Sequence, residues 1–431
     1  MRRLYERVVG HLWGASLVYF ASRIIPAGIG MLSIGLFFRL FGEEAYGRYV
    51  LLNAASLMAG NVGCTWIVQA TLRFRSGMSD AAEASKIEAT LWMCTLVSAI
   101  VATGIVTMVL ALRGMDASGT GLASLGAVAL LSYSVNYARC QADLQPGRIF
   151  LAETCRGVVF VAVPVVAALL GSRSHLAPLA GFLAGNVAGI LVIGLPRLSV
   201  ADVDLGMSRR FWAYGWPLML WMGLSVLINT ADRFFVEAVL GASQLAVYAA
   251  VNDLVFKSTI AVLMPIGQAS HPLMMRAWNA GLFADARRYL HSTAWLTAGV
   301  SAALLVVWMV GAPFALNALI GAIPENARAM AVLAFFAAAC WQLAVVMQRA
   351  LEMQGRTLLI SLFALGALAI KVTLNMFLLK VHGILGASAA LCTASVVYLV
   401  CTMLAGRHVM KRLTPTVSES TPASAPIPVQ A

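Results

Sequence analysis

Charge is what this chain most conspicuously lacks. Of its 431 residues only 11% are Asp, Glu, Lys or Arg, whereas 61% are hydrophobic, and mean hydropathy is +0.85. A soluble globular domain is about a quarter charged, so a water-soluble fold is excluded. The dipeptide Gly-Lys is missing, and with it any Walker A loop and built-in ATPase. There is no H-E-x-x-H, and none of the six histidines forms a ligand-spaced pair, so no metal and no cofactor is expected. The seven cysteines (Cys64, Cys94, Cys140, Cys155, Cys340, Cys392, Cys401) form no C-x-x-C pair. They read as small hydrophobes rather than as disulfides or metal ligands. Acidic residues are scarce, 18 against 30 basic, giving a net charge of +12. The cations sit mostly at the ends of apolar runs, which points to membrane lipids and topology rather than to nucleic acid.

Long apolar runs are what the sequence does have. Crossing a bilayer core takes about 20 residues of helix, and the runs show no period-2 alternation that would suit a barrel. Twelve spans are expected, near 15–38, 48–71, 90–112, 119–138, 149–171, 177–196, 211–231, 245–268, 293–313, 329–348, 358–379 and 384–405. The start, "MRRLYERVVGHLWGAS", has no small-residue cleavage site after a short apolar core, so the first helix reads as retained. With the N-terminus inside, the inner loops hold twenty Lys and Arg and the outer ones six: Arg39, Arg48, Arg113, Arg173, Arg328 and Lys380. That bias obeys the positive-inside rule along the whole chain and predicts both termini cytoplasmic. The end, "TPTVSESTPASAPIPVQA", is too rich in Pro, Ser and Thr to build a core and reads as a disordered cytoplasmic tail over 413–431.

A repeat is written into the chain at an offset of 199. "RLFGEEAYGRY" (Arg39–Tyr49) meets "VLGASQLAVY" (Val239–Tyr248): Gly42 falls on Gly241, Tyr49 on Tyr248, Asn53 on Asn252, and Gly47 on Ala246. Six-plus-six duplication follows, with an N-terminal lobe over 1–205 and a C-terminal lobe over 206–412. An even number of helices per half makes the halves parallel, related by an axis along the membrane normal.

These residues also carry a family resemblance. "RLFGEEAYGRYVLLNAASL" resembles the first helix–turn–helix of Wzx-type polysaccharide and O-antigen flippases, members of the MATE-like multidrug/oligosaccharidyl-lipid/polysaccharide superfamily. "YGWPLMLWMGLSVLINTADRFFVEAVLGASQLAVYAAVNDL" (Tyr214–Leu254) is similar to that family's seventh and eighth helices, and "LNMFLLKVHGILGASAAL" (Leu374–Leu391) to its last hairpin. The resemblance covers all but the tail and implies an all-α, twelve-helix, two-lobe carrier of the bacterial cytoplasmic membrane. It implies alternating-access transfer of an undecaprenyl-diphosphate-linked oligosaccharide for O-antigen, capsule or exopolysaccharide, with a glycan polymerase and a chain-length regulator as partners. It implies no enzymatic activity. The second turn has Ala242-Ser243 where the first has Glu43-Glu44, so the glycine-centred turn, not the acidic pair, is what the fold needs.

Charge inside a membrane span marks a substrate or ion path by default. Lys371 lies about 8 residues, roughly 12 Å, from the nearer end of the eleventh span, beyond easy snorkelling; a structural partner on another helix is the alternative. Arg23 lies in the first span, three residues before Pro26, and can bind phosphate or snorkel to headgroups. Asp253 and Lys257 share a face at i, i+4, either as a self-neutralised pair or as an ion-coupling carboxylate beside a substrate-binding cation. Asp232 and Arg233 end the seventh span and read as an interlobe gate or an interfacial anchor. Pro26, Pro217, Pro265 and Pro313 are expected to kink their helices. Arg23, Lys257, Lys371 and Asp253 together leave net positive charge, which suits a diphosphate and repels cationic drugs. A cation-coupled multidrug antiporter of the same fold is the main rival reading. A peptidoglycan-precursor flippase has two further helices for which no segment remains, and a glycan polymerase or transferase lacks support without sizeable outer loops.

Overall fold

The computed structural model describes the backbone of residues 2–75, 81–195, 202–321 and 326–412, with side chains inside those stretches from 28 to 407 except 81, 313, 319 and 320. Every regular element among them is an α-helix: α1 (Arg2–Phe74), α2 (Ala81–Ala111), α3 (Ala117–Ala142), α4 (Pro146–Leu169), α5 (Leu176–Ile193), α6 (Leu205–Thr230), α7 (Asp232–Leu240), α8 (Ala242–Asn279), α9 (Phe283–Ile320), α10 (Ala327–Met347), α11 (Arg349–Glu352) and α12 (Thr357–Arg412). Among the described residues, ten helical segments are long and apolar enough to cross a membrane, with α6 and α7 forming one of them. The protein is a multi-pass membrane protein, and helices satisfy their backbone groups internally, which the apolar runs require.

The turns are tighter than the sequence suggests. Loops were expected over 39–47 and 380–383, but helix continues to residue 41 and resumes at 43, the break being Gly42 alone (φ 78, ψ 172). Gly383 (φ 58, ψ −141) breaks α12 in the same way. Gly241, between α7 and α8, has φ 84 and ψ 172, almost the conformation of Gly42. A side chain at positive φ with extended ψ is strongly disfavoured, so one glycine reverses the chain where other residues would need a loop. The repeat seen at an offset of 199 is therefore a repeat of backbone geometry.

Within each half the helices pack on sequence neighbours: α4 on α5 and α1 on α3 in the first, α8 on α9 and α10 on α12 in the second. The halves meet through α1, which packs on both α6 and α8. At the turn end of this seam, a Cβ built on Gly47 would lie 1.8 Å from the Ala242 carbonyl oxygen, so only glycine lets these backbones touch. At the far end, Gly215 of α6 also sits close to the Trp66 backbone, 2.5 Å from an ideal Cβ to the carbonyl oxygen. Trp66 meets Trp212 edge to face at 5.2 Å, and Phe74 packs against Phe211 at the same distance. Under the first turn, Phe37 collects Phe41, Tyr49 and Phe160 edge to face, fixing the first arm of α1 against α4. Pro217 and Pro265 lie inside α6 and α8; the side chains of Pro26 and Pro313 lie outside the described residues.

Candidate functional site

Five ionisable side chains meet where α7, α8 and α12 converge. Asp232 and Arg233 are expected at the end of the seventh span, as an interlobe gate or an interfacial anchor; the helical segment does not end there. α7 runs on to Leu240, so both lie about 12 Å along the helix from the Gly241 turn, inside the apolar segment 205–240. The sequence reading ended the span at 231 because two charges looked like an interface. Their neighbours neutralise them, and the helix continues.

Asp232 and Lys371 are each 0% exposed, with Lys371 Nζ 2.9 Å from Asp232 Oδ2. Lys371 also donates to the Ile228 carbonyl, the last turn of α6, and the Tyr248 hydroxyl donates to Asp232. Lys371 thus has a structural partner on another helix and is absent from the lining of the four described cavities. Removing one member of such a pair strands the other charge in a low-dielectric interior, at about 3–5 kcal/mol.

The second group is wetter. Arg233 Nη2 lies 2.6 Å from Asp253 Oδ1, and Lys257 Nζ lies 3.0 Å from Asp253 Oδ2. One carboxylate therefore serves two cations. Arg233 is buried, but the Lys257 side chain is 53% exposed within the protein envelope. The expected i, i+4 pair on α8 is present, with Arg233 as an added partner. Both Arg233 and Lys371 find their carboxylates within the C-terminal half, so neither bridges the halves. Arg113 does bridge them. It donates to the Phe234 carbonyl at 2.6 Å and approaches Glu237 at 3.4 Å, both on α7. Arg39 similarly reaches the Asn317 carbonyl of α9 at 3.1 Å. The Arg23 side chain lies outside the described residues.

Two cavities adjoin this cluster, and a third continues from the first of them. The first, about 200 Å³, is walled by Ser33, Tyr46, Tyr49, Asn53, Arg156, Phe160 and Asn186 of the first half and by Arg233, Asp253 and Lys257 of the second. The second, about 430 Å³, shares Arg233, Asp253 and Lys257 and continues along α8 past Phe256, Ile260, Met264 and Gln268. The third, about 530 Å³, shares Arg156 with the first and continues past Asn61, Thr65, Gln69, Tyr133, Tyr137, Gln141 and Glu153.

Arg156 is the functional candidate that the sequence reading passed over. It was counted as a loop cation, yet it lies well inside α4. Its guanidinium holds Glu153 at 2.8 Å, stacks 5.0 Å above the Tyr133 ring, and leaves Nε buried without a hydrogen-bond partner among the described residues. Tyr133 completes the group by donating to Glu153 at 2.8 Å. The signal was available as Glu153-x-x-Arg156, an i, i+3 pair that belongs on a helix face. Across the three cavities, Arg156, Arg233 and Lys257 face Glu153 and Asp253, leaving one positive charge unmatched among the described residues. No group of three or more His, Cys, Asp or Glu among the described residues is placed to hold a metal.

Comparison with known proteins bears on the fold. The family model described as MatE matches residues 217–378. No curated protein matches the chain. A solved inward-facing conformation of a multidrug resistance MATE family transporter of the MOP superfamily is similar at 15% identity, covering 93% of this chain and 100% of that one, with a TM-score of 0.72. An outward-facing conformation carrying the same description aligns at 15% identity over 93% and 96% of the two chains, with a TM-score of 0.60. The lipid II flippase MurJ, in an inward closed conformation, aligns at 11% identity over 93% and 89%, with a TM-score of 0.69. The chain therefore has the MATE-like fold of the MOP-superfamily transporters over nearly its whole length.

Proposed function

We propose that this protein is a flippase that moves an undecaprenyl-diphosphate-linked oligosaccharide across the bacterial cytoplasmic membrane for surface polysaccharide synthesis, by alternating access of two lobes. The observation that carries this reading is the cationic cavity. Arg156 from one half and Arg233 and Lys257 from the other face shared space inside the apolar body, with one positive charge in excess among the described residues. An isolated diphosphate cannot enter such an interior without compensating cations. Arg156 and Arg233 offer planar donor forks, and Lys257 offers a mobile point charge. Arg23 stays in the proposal as a further cation of the first span. Lys371 takes a different part: it neutralises Asp232 and holds α12 to α6 and α7, acting on the site through its architecture. Asp253 orients Arg233 and Lys257, and a coupling proton or sodium ion remains its proposed alternative role.

In topology, each arm of α1 and α12 counts as one crossing, α6 with α7 as one, and the other long helices as one each. This gives twelve crossings, with lobes 1–205 and 206–412 and both termini cytoplasmic. The higher TM-score to the inward-facing MATE structure supports a cavity open to the cytoplasm, with the Gly47–Ala242 contact, Arg113 and Arg39 closing the outer face. These contacts join the lobes, so the gate role first read for Asp232 and Arg233 fits them better. The likeness to multidrug resistance MATE transporters favours the multidrug antiporter reading; the likeness to the lipid II flippase MurJ draws the other way.

Gene deletion in the source bacterium decides between the readings. A flippase deletion abolishes the surface glycan, the unmodified gene restores it, and Lys257→Gln at normal membrane levels restores only part. Intact surface glycan together with lost efflux of ethidium would establish the antiporter instead.

A further inference from the structure

The two larger cavities are versions of one surface. At the offset of 199 that relates the halves, Leu57, Asn61, Thr65 and Gln69 of α1 correspond to Phe256, Ile260, Met264 and Gln268 of α8. The first set lies on one helical face at i, i+4, i+8 and i+12, and so does the second. In the second half this face, with Ala261 and Pro265, lines the mostly apolar 430 Å³ cavity. In the first half Asn61, Thr65 and Gln69 turn the face polar, opposite Tyr133, Ser134, Tyr137 and Gln141 of α3, which themselves recur at helical spacing. Asn61 Nδ2 donates to the Leu57 carbonyl at 2.8 Å and Thr65 Oγ1 to the Asn61 carbonyl at 2.6 Å, so these groups sit in an apolar helix at little cost while their oxygens still line the cavity. Two facing polar stripes of uncharged donors and acceptors, with tyrosine rings beside them, have the chemistry that recognises sugar hydroxyls. The apolar face has the chemistry that covers a hydrocarbon.

Resting on the flippase reading, we propose that the substrate is divided between these surfaces. The cavity of Asn61, Thr65, Gln69 and Gln141 takes the first uncharged sugars. The cavity of Phe256, Ile260 and Met264 takes the first isoprene units. The diphosphate lies between them, because the junctions are cationic: Arg156 belongs to both the sugar cavity and the central one, and Arg233 and Lys257 belong to both the central one and the apolar one. The repeat has thus been specialised, one half toward the glycan and the other toward the lipid.

Native mass spectrometry of the full chain released from lipid nanodiscs tests this with two probes, undecaprenyl diphosphate and undecaprenyl diphosphate bearing one N-acetylglucosamine. The unmodified protein binds the sugar-bearing probe about tenfold more tightly, the sum of a few hydrogen bonds. Asn61→Ile/Thr65→Met brings that ratio close to one and leaves binding of the bare probe unchanged. Gln69→Leu does the same on a smaller scale and serves if the double variant fails to reach the membrane. Ile260→Asn/Met264→Thr weakens both probes together and keeps their ratio. Equal binding of the two probes by the unmodified protein overturns the division, as does a ratio that survives Asn61→Ile/Thr65→Met and Gln69→Leu. Binding of both probes without preference leaves the flippase reading standing. Binding of neither, while ethidium binds, removes the flippase reading itself.

Discussion

The second arm of α1 and the first part of α8 correspond at the offset of 199 and carry their polar residues in opposite orders. Near its glycine turn α8 carries Asp253 and Lys257, where α1 has Ala54 and Met58. One or two turns farther on the polarity reverses, Asn61 and Thr65 of α1 facing Ile260 and Met264 of α8. The same holds for the preceding helices: Asp232 and Arg233 occupy the positions of Ser33 and Ile34. What the halves keep is the frame, namely the glycine turn, Tyr49 and Tyr248, and Asn53 and Asn252. What they exchange is charge, hydrogen bonding and grease. Two halves that keep the same glycine turn thus obtain an asymmetric interior by changing the side chains alone.

The largest expected effect breaks the half that carries buried charge. Lys371→Met leaves Asp232 bare at zero exposure and should lower stability by about 3–5 kcal/mol. Thermal unfolding followed by size-exclusion chromatography should show this as aggregation or a large fall in midpoint. Asp232→Leu/Lys371→Met, which removes both charges, should recover most of it. Ser33→Ala at the corresponding first-half site should change little, since that hydroxyl only donates to the Gly30 carbonyl. Equal losses at both sites would erase the contrast.

A conformational test comes next. Gly47→Val places carbon against the Ala242 carbonyl and should force the outer seam apart, whereas Ala246→Val, at the equivalent place, starts from a residue that already carries a Cβ and is the comparison. Distance distributions between spin labels at Leu112 and Val239 should lengthen for Gly47→Val. An unchanged distribution would show that the seam does not set the state.

Substrate binding is expected to respond less. Lys257→Gln should weaken undecaprenyl diphosphate by about tenfold, the effect of one charge-assisted contact at a half-exposed side chain. Met58→Ala, at the matching site, should have no effect on diphosphate affinity measured in the same titration.

The smallest difference lies at helix ends. Asp116 caps α3 by accepting from Gly119, while Asn326 at the start of α10 makes no side-chain cap. Asp116→Ala should cost about 1 kcal/mol and Asn326→Ala almost nothing, by thermal unfolding. The Ser118 hydroxyl, and then the Gly119 N–H, hold the Asp116 carboxyl below its ordinary range. Stability from a depressed carboxylate is present above its unfolded value, about 3.9, and disappears as pH falls through the lower folded value. The side chain is 44% exposed, so solvent screening keeps that part to a few tenths of a kcal/mol.

Much of the fold could be read in the chain because hydropathy and glycine act locally. Apolar runs mark helices wherever water is excluded, and Gly42 and Gly241 declare their turns by needing a backbone that other residues avoid. Boundaries failed where charge was taken as a sign of water. Asp232 and Arg233 read as an end because their partners, Lys371 and Asp253, lie 139 and 20 residues farther along the chain. Arg156 is less legible in the sequence because an arginine beside an inner loop reads as part of that loop, and only the packing of α3 on α4 puts Tyr133 beneath it. The polar stripe of Asn61, Thr65 and Gln69 is visible as spacing. Its meaning appears only when α3 supplies the facing side of the cavity.

Asp253 has one further consequence. A carboxylate held by a single cation would be stripped bare if that cation turned to an arriving anion, and the exchange would cost as much as it gained. Asp253 is held at both oxygens, by Arg233 and by Lys257. The lysine can change partners while the arginine stays, so an incoming phosphate trades for one ligand of a bidentate clamp and no buried charge is orphaned. If the site takes a phosphate as proposed, it is an ion exchanger with a reserve, able to take up and release its anion without reorganising the helices that hold it.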